Sequence, residues 1–586
     1  MGKEINQDSV ILYDAFRQEW LLFRCPLRVH AAYSYETVLP VLKTVEQEAS
    51  AKGLYAVGFI AYEAGHAFLD PSCAVPSSSG SFPLIWFGIY KKPEKISFPS
   101  FLEKSPVKIK WTPSVSGNEY RTCFNKIKEY IRAGDTYQVN YTYRLRTLFS
   151  EDPWMFFVRM VNAQGYGYGA FVDTMDWAIC SASPELFFSL ESEYLVSKPM
   201  KGTSMRGLQQ ADDLEKAAWL AKSEKNRAEN VMITDMVRND MGRIADVDRV
   251  EVSSLFDIEK YPTLWHMTSK VCCQTKADIA DIFCALFPAA SITGAPKVRT
   301  MQIIAELENA PRKIYTGTIG YIFPERRVQF NVAIRTVLLD KRNRTAEYGV
   351  GGGIVWDSES ADEMQECRTK AGILAQPMPV FELLETILWT PENGYFLLDD
   401  HLKRMKDTAN YFSCHINIEI ILGKLKALET KLSLMPHKIR LMVSQAGEPT
   451  LEVHLLSNIR QPYRICVGKQ SVDSNNPFLY HKTTYRQVYE QALAESPGYD
   501  DVLLWNERGE LTESCFANVV AELNGRLLTP PVSSGLLPGT YRSLLIQQGT
   551  IEEEIVFIKD LHRYSKVYLI NSVRGMWEVL PSNLSI

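Results

Sequence analysis

The stretch AQPMPVF, residues 375–381, divides the chain into two parts of unequal length. It contains Pro377 and Pro379, which cannot continue the helical pattern SADEMQECRTKAGILA that precedes them. From Phe381 onward come FELLETILW, the turn TPENG and then YFLLDD, a pattern typical of a β-hairpin. We therefore predict a large N-terminal part, a linker at residues 376–379 and a smaller part formed by residues 380–586.

Both parts mix helical and extended patterns. In the larger part, the extended pattern VQFNVAIRTVLL (328–339) follows helical patterns such as RAENVMITDMV (227–237). The segment EKSPVKIKWTPSVSGNEY (103–120) is typical of a connector that leads into a helix at Glu119–Ala133. These patterns predict a chain that mixes α and β structure, with an N-terminal lobe at 1–113 and a second region at 114–375.

The composition is that of an ordinary globular protein, with 46% apolar and 23% charged residues in a chain of 586. The net charge of −5 argues against nucleic-acid binding, and no apolar run is long enough to span a bilayer. The N-terminal sequence MGKEINQDSVILYDAF lacks a signal-peptide pattern, and the 11 cysteines show neither CxxC nor zinc spacing. We therefore predict a cytoplasmic protein with reduced thiols and no nucleic-acid or membrane partner.

Three glutamates occupy unusual places in helical patterns. Glu229 is in phase with Ile233 and Met236, so it would lie on an apolar face, where an unpaired carboxylate is costly or takes up a proton. Glu363 and Glu366 are spaced i, i+3 and share one face of a second helix. Carboxylates from two helices suit a hard divalent cation such as Mg²⁺. Ion pairs with arginine or lysine explain most such glutamates, so both interpretations stay open.

Three further features have alternative interpretations. Lys201, in VSKPMKGTSMRG (196–207), is either a solvated loop lysine or, in a dry site, an amine that can attack carbon. Arg335, in the otherwise apolar FNVAIRTVLL, needs a carboxylate either from a ligand or from the protein itself. The glycines Gly351, Gly352 and Gly353, in YGVGGGIVWDS, permit close backbone approach to a ligand or form a tight turn.

The ordered motifs of the larger part resemble the chorismate-utilising enzymes, the family of anthranilate synthase and aminodeoxychorismate synthase component I. The resemblance covers Glu119 to about Ala371 and rests on AGDTYQVNYTYRL, SASPELFF, KPMKGTSMRG, RAENVMITDMVRNDMGRI, YPTLWHMTS, SITGAPKVRTMQII, YTGTIGYI, FNVAIRT, GGGIVWDS and DEMQEC. It implies a two-layer β-sandwich with outer helices, in the α+β class, that binds chorismate between the layers.

The same resemblance implies the roles of individual residues. Mg²⁺ would be held by Glu229 and Glu366, with Glu363 nearby, and would bridge to the ring carboxylate of chorismate. The enolpyruvyl carboxylate would be held by Arg335 and the backbone amides of Gly351–Gly353. Thr293 and Tyr315 would line the pocket, and His266 of the YPTLWHM motif would be a catalytic residue.

Two positions indicate which reaction of the family is catalysed. Family members that add water have a lysine base where this chain has Gln138, so water addition is disfavoured. Anthranilate synthases resemble PIAGT, with alanine at the position of Lys201, whereas PMKGT is similar to the aminodeoxychorismate synthase subgroup. By this resemblance Lys201 is a nucleophile at C2 of chorismate, and Glu185 of the SPE motif is a general acid to the leaving C4 hydroxyl.

The resemblance also predicts the nitrogen source. No GxCxG-type glutaminase turn occurs in the chain, so a separate glutamine amidotransferase subunit or free ammonium is expected to supply ammonia. The N-terminal part has WLLFRCP rather than the LLES of tryptophan-inhibited synthases, which argues against inhibition by tryptophan.

The smaller part contains the elements of a pyridoxal phosphate site. These are Arg404 near the start of a helical pattern, Lys482 before another, Glu513 between strand patterns, and the Pro-Gly turn of LLPGTYRSLLIQQG opening a helix. A lysine, a carboxylate for the pyridine nitrogen and an anion site are what this cofactor requires. Each feature alone is more simply structural.

In this order, the features resemble the family of branched-chain aminotransferases and aminodeoxychorismate lyases, a fold-type-IV α/β domain. The resemblance spans about Val380 to the C-terminus. It implies that Lys482 forms the Schiff base with the cofactor, that Glu513 pairs with the pyridinium and that Arg404 binds the phosphate. The phosphate cup is completed by the backbone of Thr540 and Tyr541 and by Ser572. The family's PGVTR is PGTYR here, so Tyr541 replaces a threonine contact.

Together the two resemblances predict a bifunctional enzyme that takes chorismate and ammonia to 4-aminobenzoate, a folate precursor, with Mg²⁺ and pyridoxal phosphate as cofactors. A homodimer formed through the smaller part is also expected. The alternatives are an anthranilate synthase component fused to a class IV aminotransferase, and a catalytically inactive binding or scaffold subunit.

Overall fold

The computed structural model describes residues 8–69, 81–99, 109–165, 167–246, 250–374, 379–459 and 463–581. The chain divides into two compact units, one formed by residues 1–205 and 217–378 and the other by residues 206–216 and 379–586. The predicted linker 376–379 lies, except for Pro379, outside the described residues. The predicted domain bounds remain predictions.

The first unit is built from two large antiparallel sheets. Its strands are β1 (Ser9–Asp14), β2 (Glu19–Phe23), β3 (Arg28–Ala32), β4 (Tyr55–Ile60), β5 (Ile85–Tyr90), β6 (Glu94–Ile96), β7 (Thr112–Pro113), β8 (Gln138–Leu148), β9 (Ala170–Asp173), β10 (Trp177–Ser181), β11 (Leu186–Glu191), β12 (Tyr194–Lys198), β13 (Met200–Met205), β14 (Val250–Lys260), β15 (Leu264–Gln274), β16 (Gly294–Ala295), β17 (Thr318–Phe323), β18 (Arg327–Asn331), β19 (Thr336–Asp340) and β20 (Thr345–Ile354). The first sheet has the order β16-β8-β20-β19-β10-β9-β1-β2-β6, with β7 beside β8. The second has the order β13-β15-β12-β11-β18-β17-β4-β5-β3, with β14 beside β15.

Helices cover the outer faces of these sheets. They are α1 (Tyr35–Lys52), α2 (Gly65–Phe68), α3 (Gly117–Ala133), α4 (Pro153–Gln164), α6 (Glu224–Gly242), α7 (Ile279–Leu286), α8 (Lys297–Leu307) and α9 (Ser360–Ala371). A further helix, α5 (Gln210–Lys222), is divided between the two units after residue 216. In α3, Tyr120, Phe124 and Ile127 are buried at helical spacing, and Ser116 and Glu119 form a capping box at its start. This stripe packs on the first sheet together with α4, α8 and α9, whereas α1, α6 and α7 pack on the second.

The inner faces of the two sheets share one apolar core. Val10 and Leu12 of the first sheet lie in the same cluster as Val57, Phe59 and Tyr321 of the second. The predicted two-layer sandwich with outer helices is therefore confirmed. The region predicted as an N-terminal lobe supplies strands to both layers, because β1 pairs with β9 and β4 pairs with β17.

The prediction that VQFNVAIRTVLL forms one strand is wrong. β18 ends at Asn331 in the second sheet, and β19 begins at Thr336 in the first, so the chain crosses between layers at residues 332–335. One uninterrupted strand cannot serve both layers, which explains the break. Arg335 lies at the end of this crossing with φ of +50°, rather than inside an apolar strand.

The second unit contains a small antiparallel sheet and a larger mixed one. Its strands are β21 (Leu383–Thr390), β22 (Gly394–Tyr395), β23 (His437–Val443), β24 (Pro449–Leu455), β25 (Arg464–Val467), β26 (Asp501–Trp505), β27 (Leu511–Ser514), β28 (Asn518–Leu523), β29 (Arg526–Thr529), β30 (Glu552–Glu553), β31 (Lys566–Asn571) and β32 (Gly575–Pro581). Its helices are α10 (Leu398–Phe412), α11 (Ile418–Glu429), α12 (Gln487–Ala494) and α13 (Thr540–Gln547). The sheet orders are β22-β21-β23-β24 and β27-β26-β25-β32-β31-β28-β29-β30, with β25 parallel to both neighbours.

The hairpin predicted after the proline-rich stretch is only partly present. β21 and β22 pair as expected, but β22 has two residues and α10 begins at Leu398, so most of YFLLDD is not extended. Leu402, Met405 and Ala409 are buried at helical spacing along α10. This periodicity decides for a helix, although the short apolar run before it favours a strand. Arg404 lies in the second turn of α10, and Glu513 lies within β27 rather than between strands.

Residues 206–216 belong to the second unit although they interrupt the sequence of the first. The guanidinium of Arg206 pairs with Asp213 at 2.6 Å and donates to the backbone carbonyl of Tyr411 at 2.9 Å. The hydroxyl of Tyr411 donates in turn to the carbonyl of Gly207 at 2.8 Å. No sequence pattern indicated this assignment. Among the helices of the described residues, none is long and apolar enough to cross a membrane.

Candidate active sites

The first unit contains a cavity of about 440 Å³ where β13, β15 and β20 meet α6 and α9. Ten of the residues predicted for the first site line it: Glu185, Lys201, Glu229, His266, Tyr315, Arg335, Gly351, Gly353, Glu363 and Glu366. The other three, Gln138, Thr293 and Gly352, are buried beside the cavity rather than in its wall. The fold thus brings together residues that lie as far apart as 185 and 366 in the sequence.

Lys201 reaches this cavity from β13. Its carbonyl accepts a hydrogen bond from the Asn230 amide at 3.3 Å, and the next residue, Gly202, has φ of +97°, which favours glycine. A Cβ atom at Gly353 would lie 2.6 Å from the Lys201 ammonium nitrogen. No ion pair with Lys201 is present among the described residues, so the amine faces the cavity and not a surface carboxylate.

The side chain of Gln138 lies beside that of Lys201, because both are close to Gly353. Its side chain would clash with a Cβ atom at Gly353, and its amide nitrogen and oxygen are both buried without a hydrogen-bond partner among the described residues. Buried amide groups are ordinarily hydrogen-bonded, so both atoms are suited to a ligand or water. A glycine at position 353 is required for this close approach of Lys201 and Gln138.

Glu185 is a buried acid in the same cavity. Burial raises the pKa of Glu185 to about 7, although the hydroxyl of Ser291, 2.6 Å from its carboxylate, and the charge of Lys201 act in the opposite direction. A carboxyl group with this pKa is partly protonated near neutrality and can donate a proton. Ser291 was not predicted from the sequence.

Arg335 is a buried guanidinium without a carboxylate partner in the described part of the chain. It donates to the side-chain oxygen of Gln164 and contacts the ring of His266 at 2.9 Å. Burial and the charge of Arg335 hold the pKa of His266 well below its usual range, so the imidazole is neutral and can accept this hydrogen bond. The salt bridge to the protein's own acid, considered from the sequence, is not formed, so the positive charge is available to an anion.

The glycine strand provides backbone groups beside Arg335. β19 pairs with β20 only as far as Tyr348, so from Gly349 onward this edge of β20 has no strand partner among the described residues. Arg335 immediately precedes β19 and therefore lies where the edge opens. Together, the edge and the guanidinium suit a carboxylate.

The three predicted metal ligands line the cavity from α6 and α9. Burial and the charge of Glu366 raise the pKa values of Glu229 and Glu363. Lys370, 2.8 Å from Glu366, holds the pKa of that carboxyl below its usual range and outweighs the effect of burial. One oxygen of Glu363 accepts from Ser358 at 2.7 Å, whereas the other is buried without a hydrogen-bond partner among the described residues.

A divalent cation fits this donor set in chemistry, because it would satisfy the orphaned oxygen and offset the mutual repulsion of the acids. In the described residues, however, no group of three or more acidic, histidine or cysteine side chains converges closely enough to hold a metal ion. Lys370 was missed by the sequence analysis, although its i, i+4 spacing from Glu366 was visible.

The second unit contains a separate cavity of about 520 Å³. Every residue predicted for the cofactor site lines it: Arg404, Lys482, Glu513, Thr540, Tyr541 and Ser572. The carbonyl of Lys482 accepts a hydrogen bond from the amide of Leu384 at 3.1 Å, which fixes this lysine beside β21. Burial and the charges of Arg404 and Arg486 lower the pKa of Lys482 to about 8. Its amine is therefore neutral in a much larger fraction of molecules than an exposed lysine.

Glu513 lies deep in this cavity. Burial raises the pKa of Glu513 to about 7, although the Tyr489 hydroxyl donates to its carboxylate at 2.7 Å. The Asn518 amide and the backbone amide of Leu537 hold its other oxygen, each at 3.3 Å. A carboxyl held in this way would be stabilised in its charged form by a cationic ring nitrogen, as expected of the pyridinium partner.

Another part of the cavity wall suits an anion. α13 begins at Thr540 after Gly539, so its first backbone amides face the cavity. The guanidinium of Arg404 forms two hydrogen bonds with Glu385, at 2.9 and 2.7 Å, and donates to the carbonyl of Pro538 at 3.1 Å. The charges of Arg404 and His401 outweigh burial and lower the pKa of Glu385 to about 2. Its carboxylate therefore accepts a hydrogen bond from the buried His401 ring at 2.6 Å, which further orients this group. Glu385 and His401 were not predicted from the sequence, and pyridoxal phosphate fits the residues present.

The chain belongs to the family of chorismate binding enzymes, which matches residues 11–376. Residues 382–580 match a second family, amino-transferase class IV. Among curated proteins, aminodeoxychorismate synthase component 1 of Escherichia coli (strain K12) is 38% identical over 258 residues, which cover 44% of this chain and 56% of that protein. Anthranilate synthase component 1 of Aquifex aeolicus is 35% identical over 290 residues, which cover 49% of this chain and 58% of that protein.

The chain thus spans a little more than half the length of these two relatives.

Among solved structures, anthranilate synthase component I of Streptococcus pneumoniae is similar over 64% of this chain and 93% of its own, with a TM-score of 0.51 and 24% identity. At this level of identity the likeness establishes the fold of the first unit alone. The family matches confirm both resemblances inferred from the sequence.

Proposed function

We propose that the chain is a bifunctional enzyme that aminates chorismate to 4-amino-4-deoxychorismate and then eliminates pyruvate to give 4-aminobenzoate. The observation that supports this most directly is Lys201, which faces the first cavity together with the proton donor Glu185 and the unpaired guanidinium of Arg335. A dicarboxylate with a leaving hydroxyl is complementary to this set. The similarity to aminodeoxychorismate synthase component 1 supports the same reaction.

In the first step, the amine of Lys201 attacks C2 of chorismate. A C–N bond forms, the ring double bonds shift, and the C4–O bond breaks while Glu185 gives a proton to the leaving hydroxyl. Ammonia then attacks C4, the double bonds shift back, and the C2–N bond breaks to release Lys201. Arg335 and the open edge of β20 would hold the enolpyruvyl carboxylate throughout.

Magnesium would be held by Glu229 and Glu366, with Glu363 beside them. When bound, it would supply positive charge to offset the ring carboxylate of the substrate. Lys370 would keep Glu366 ionised, and Ser358 would orient Glu363. Ammonia would come from a separate glutamine amidotransferase or from free ammonium, and the reaction would take place in the cytoplasm.

In the second cavity, Lys482 would bind pyridoxal phosphate, with Glu513 at the ring nitrogen and the start of α13, Arg404 and Ser572 at the phosphate. When bound, the cofactor would supply an electron sink for cleavage of the C4–H bond. Lys482, released by the substrate amine, would remove the C4 proton. The bond between ring C3 and the ether oxygen then breaks and the ring becomes aromatic. The leaving enolpyruvate takes up a proton, in balance with the one removed from C4, and becomes pyruvate.

The test is incubation of the full chain with chorismate, Mg²⁺, ammonium and pyridoxal phosphate, with all products identified by mass and chromatography. We expect 4-aminobenzoate and pyruvate in equal amounts, and 4-amino-4-deoxychorismate when pyridoxal phosphate is omitted. Formation of 2-aminobenzoate would contradict the proposal and support an anthranilate synthase fused to an aminotransferase. No turnover of chorismate under any condition would support an inactive subunit.

A further inference from the structure

One lysine of the first unit is bound by a set of backbone carbonyls. The ammonium group of Lys128, on α3, donates to the carbonyl of Val355 at 3.4 Å and to the carbonyl of Ser358 at 3.2 Å. It also donates to the carbonyl of Trp356, which lies between them in the chain. A lysine ammonium group has three N–H donors, so the three carbonyls use all of them.

Aromatic rings accompany this ammonium group. Its nitrogen lies 5.1 Å from the ring centre of Trp356 and 5.8 Å from the ring centre of Phe124. Phe124 is buried one helical turn before Lys128 on α3, whereas Trp356 is exposed. Both distances are within the range of cation–π attraction, so the rings add to the hydrogen bonds that hold the lysine in place.

The three carbonyls belong to the short loop that joins β20 to α9. β20 carries the glycines predicted to bind a carboxylate, and α9 carries Glu363 and Glu366, two of the proposed magnesium ligands. The loop therefore sets the position of one functional element relative to the other. Lys128 itself does not line the cavity, so any effect it has on the site passes through this loop.

Hydrogen bonds within the loop lead from Lys128 to a carboxylate. The amide of Ser358 donates to the carbonyl of Val355 at 3.2 Å, and the amide of Val355 donates to the hydroxyl oxygen of Ser358 at 3.1 Å. The same hydroxyl donates to Glu363 at 2.7 Å. Ser358 is only 2% exposed. Lys128 thus binds both carbonyls of the turn whose serine orients Glu363.

The orientation of Glu363 decides where its second oxygen points. That oxygen is buried without a hydrogen-bond partner among the described residues, and it would lie 2.6 Å from a Cβ atom at Gly352. A carboxylate that accepts a hydrogen bond at one oxygen keeps the other in a fixed direction, which is how the neighbours of a metal ligand support binding. If the turn at Ser358 loosens, this direction is lost.

We propose that Lys128 is a positioning residue for the first site: by holding the loop at residues 355–358, it keeps Ser358 against Glu363 and so maintains the affinity for Mg²⁺. This inference rests on the proposed assignment of Glu363 and Glu366 as magnesium ligands. Removal of the lysine leaves three carbonyls without the donor that they share. A contact that only stabilised the loop would lower the melting temperature and leave the affinity for Mg²⁺ unchanged.

The test is calorimetric titration of the full chain with Mg²⁺, in the presence of chorismate and without ammonium, so that the amination does not proceed. Lys128→Met keeps an unbranched side chain and removes its donors. We expect its dissociation constant for Mg²⁺ to rise about tenfold or more, because the loss of a group that orients a metal ligand costs about 10-fold to 100-fold in affinity. Ser358→Ala should have the same effect, since it removes the hydrogen bond to Glu363 directly.

The double variant of Lys128→Met and Ser358→Ala tests whether the two residues act through one route. If Lys128 acts through Ser358, the double variant should bind Mg²⁺ about as weakly as the weaker single variant. Two factors that multiply, to about 100-fold or more, would show independent effects and would overturn the proposal. Circular dichroism of each variant checks the fold.

Lys126→Met is the matched control, because Lys126 lies on the same helix and pairs with the exposed Glu306 at 2.9 Å. It should leave the affinity for Mg²⁺ unchanged. The positioning role is also wrong if Lys128→Met lowers the melting temperature but binds Mg²⁺ as tightly as the unaltered protein.

Product analysis separates this inference from the proposed function. If the unaltered protein makes no 4-amino-4-deoxychorismate, but its affinity for Mg²⁺ falls in both single variants, the positioning role stands and the amination is wrong. If the unaltered protein makes this product and Lys128→Met shows the same Mg²⁺ titration, the amination stands and the positioning role is wrong. An unaltered protein that binds no Mg²⁺ would contradict both the magnesium assignment and the role of Lys128.

Discussion

Two lysines three residues apart, Lys198 and Lys201, have different environments. Lys198 pairs with Glu259 at the partly exposed end of β12, whereas Lys201 faces the first cavity without an ion pair among the described residues. We expect Lys201→Ala to reduce formation of 4-amino-4-deoxychorismate by about 10³-fold or more at saturating ammonium, the scale expected when a group that acts in covalent catalysis is removed. The measurement is product formation by chromatography, with circular dichroism to check the fold.

Lys198→Ala is the control, because it removes a lysine of the same segment that is partly exposed and paired with a partly exposed acid, Glu259. It should cost at most about 1 kcal/mol of stability and leave amination near that of the unaltered protein. A Lys201→Ala variant that aminates chorismate at a normal rate would exclude the nucleophilic role.

Lys482 gives a prediction at the same scale for pH. Its pKa is lowered to about 8 by burial and by the charges of Arg404 and Arg486, so the neutral, reactive amine predominates above about pH 8 instead of above about pH 10. We expect the rate at which cofactor-free protein captures pyridoxal to rise with pH and level off with a midpoint near 8. Absorbance of the attached aldehyde measures this rate.

Arg486→Gln tests the cause of the lowered pKa. Removing a nearby positive charge makes protonation of Lys482 easier, so the midpoint should move to higher pH. Arg526→Gln, an exposed residue paired with Glu552, serves as the control and should leave the midpoint unchanged. A midpoint above 10 in the unaltered protein would show that Lys482 is not in the environment described.

At the scale of elements, α9 carries two of the proposed magnesium ligands and a lysine that pairs with one of them. Glu363 and Glu366 lie on its inner side, and Lys370, one turn further, both pairs with Glu366 and donates to the carbonyl of Gly351 at 2.9 Å. We expect Glu366→Gln to raise the Mg²⁺ concentration for half-maximal amination about tenfold or more, because one charged oxygen ligand of a hard cation is lost. Titration of the amination rate with Mg²⁺ measures the effect.

Asp362→Asn is the matched control on the same helix, because Asp362 is exposed and outside the cavity wall. It should leave the Mg²⁺ titration unchanged. Since Glu366→Gln also removes the ion pair of Lys370, the melting temperature is measured in parallel at saturating Mg²⁺. A titration identical to that of the unaltered protein would make Glu366 a structural partner of Lys370 only.

At the scale of the whole molecule, each compact unit has its own cavity, with Lys201 in the first and Lys482 in the second. We therefore expect Lys482→Ala to abolish the spectrum of the bound cofactor while chorismate is consumed at a normal rate and 4-amino-4-deoxychorismate accumulates. The measurement is the time course of substrate, intermediate and product. The full chain is used because residues 206–216 belong to the second unit, and a fragment that starts at 380 lacks them.

Lys469→Ala is a suitable control, since it removes an exposed lysine of the second unit that lies outside the cavity wall. It should form 4-aminobenzoate without accumulation of the intermediate. If Lys482→Ala itself makes 4-aminobenzoate at the normal rate, the second unit does not perform the elimination, and amino transfer to a 2-oxo acid is the reaction to assay next.

The sequence alone determined the features that depend on local periodicity and short motifs. Glu363 and Glu366 are spaced i, i+3 in one helix, and Glu229 is in phase with the apolar residues of another. The direction of each side chain within its own helix follows from this spacing, because residues one turn apart share a face. The motifs around Lys201 and Lys482 specified both families.

Only the tertiary structure decided that Arg335 lies at a crossing between layers without a carboxylate partner among the described residues, and that residues 206–216 belong to the second unit. The pKa values of Glu185 and Lys482 were decided in the same way, because burial and charge come from residues distant in the chain, such as Ser291 and Arg404, that no local pattern brings together.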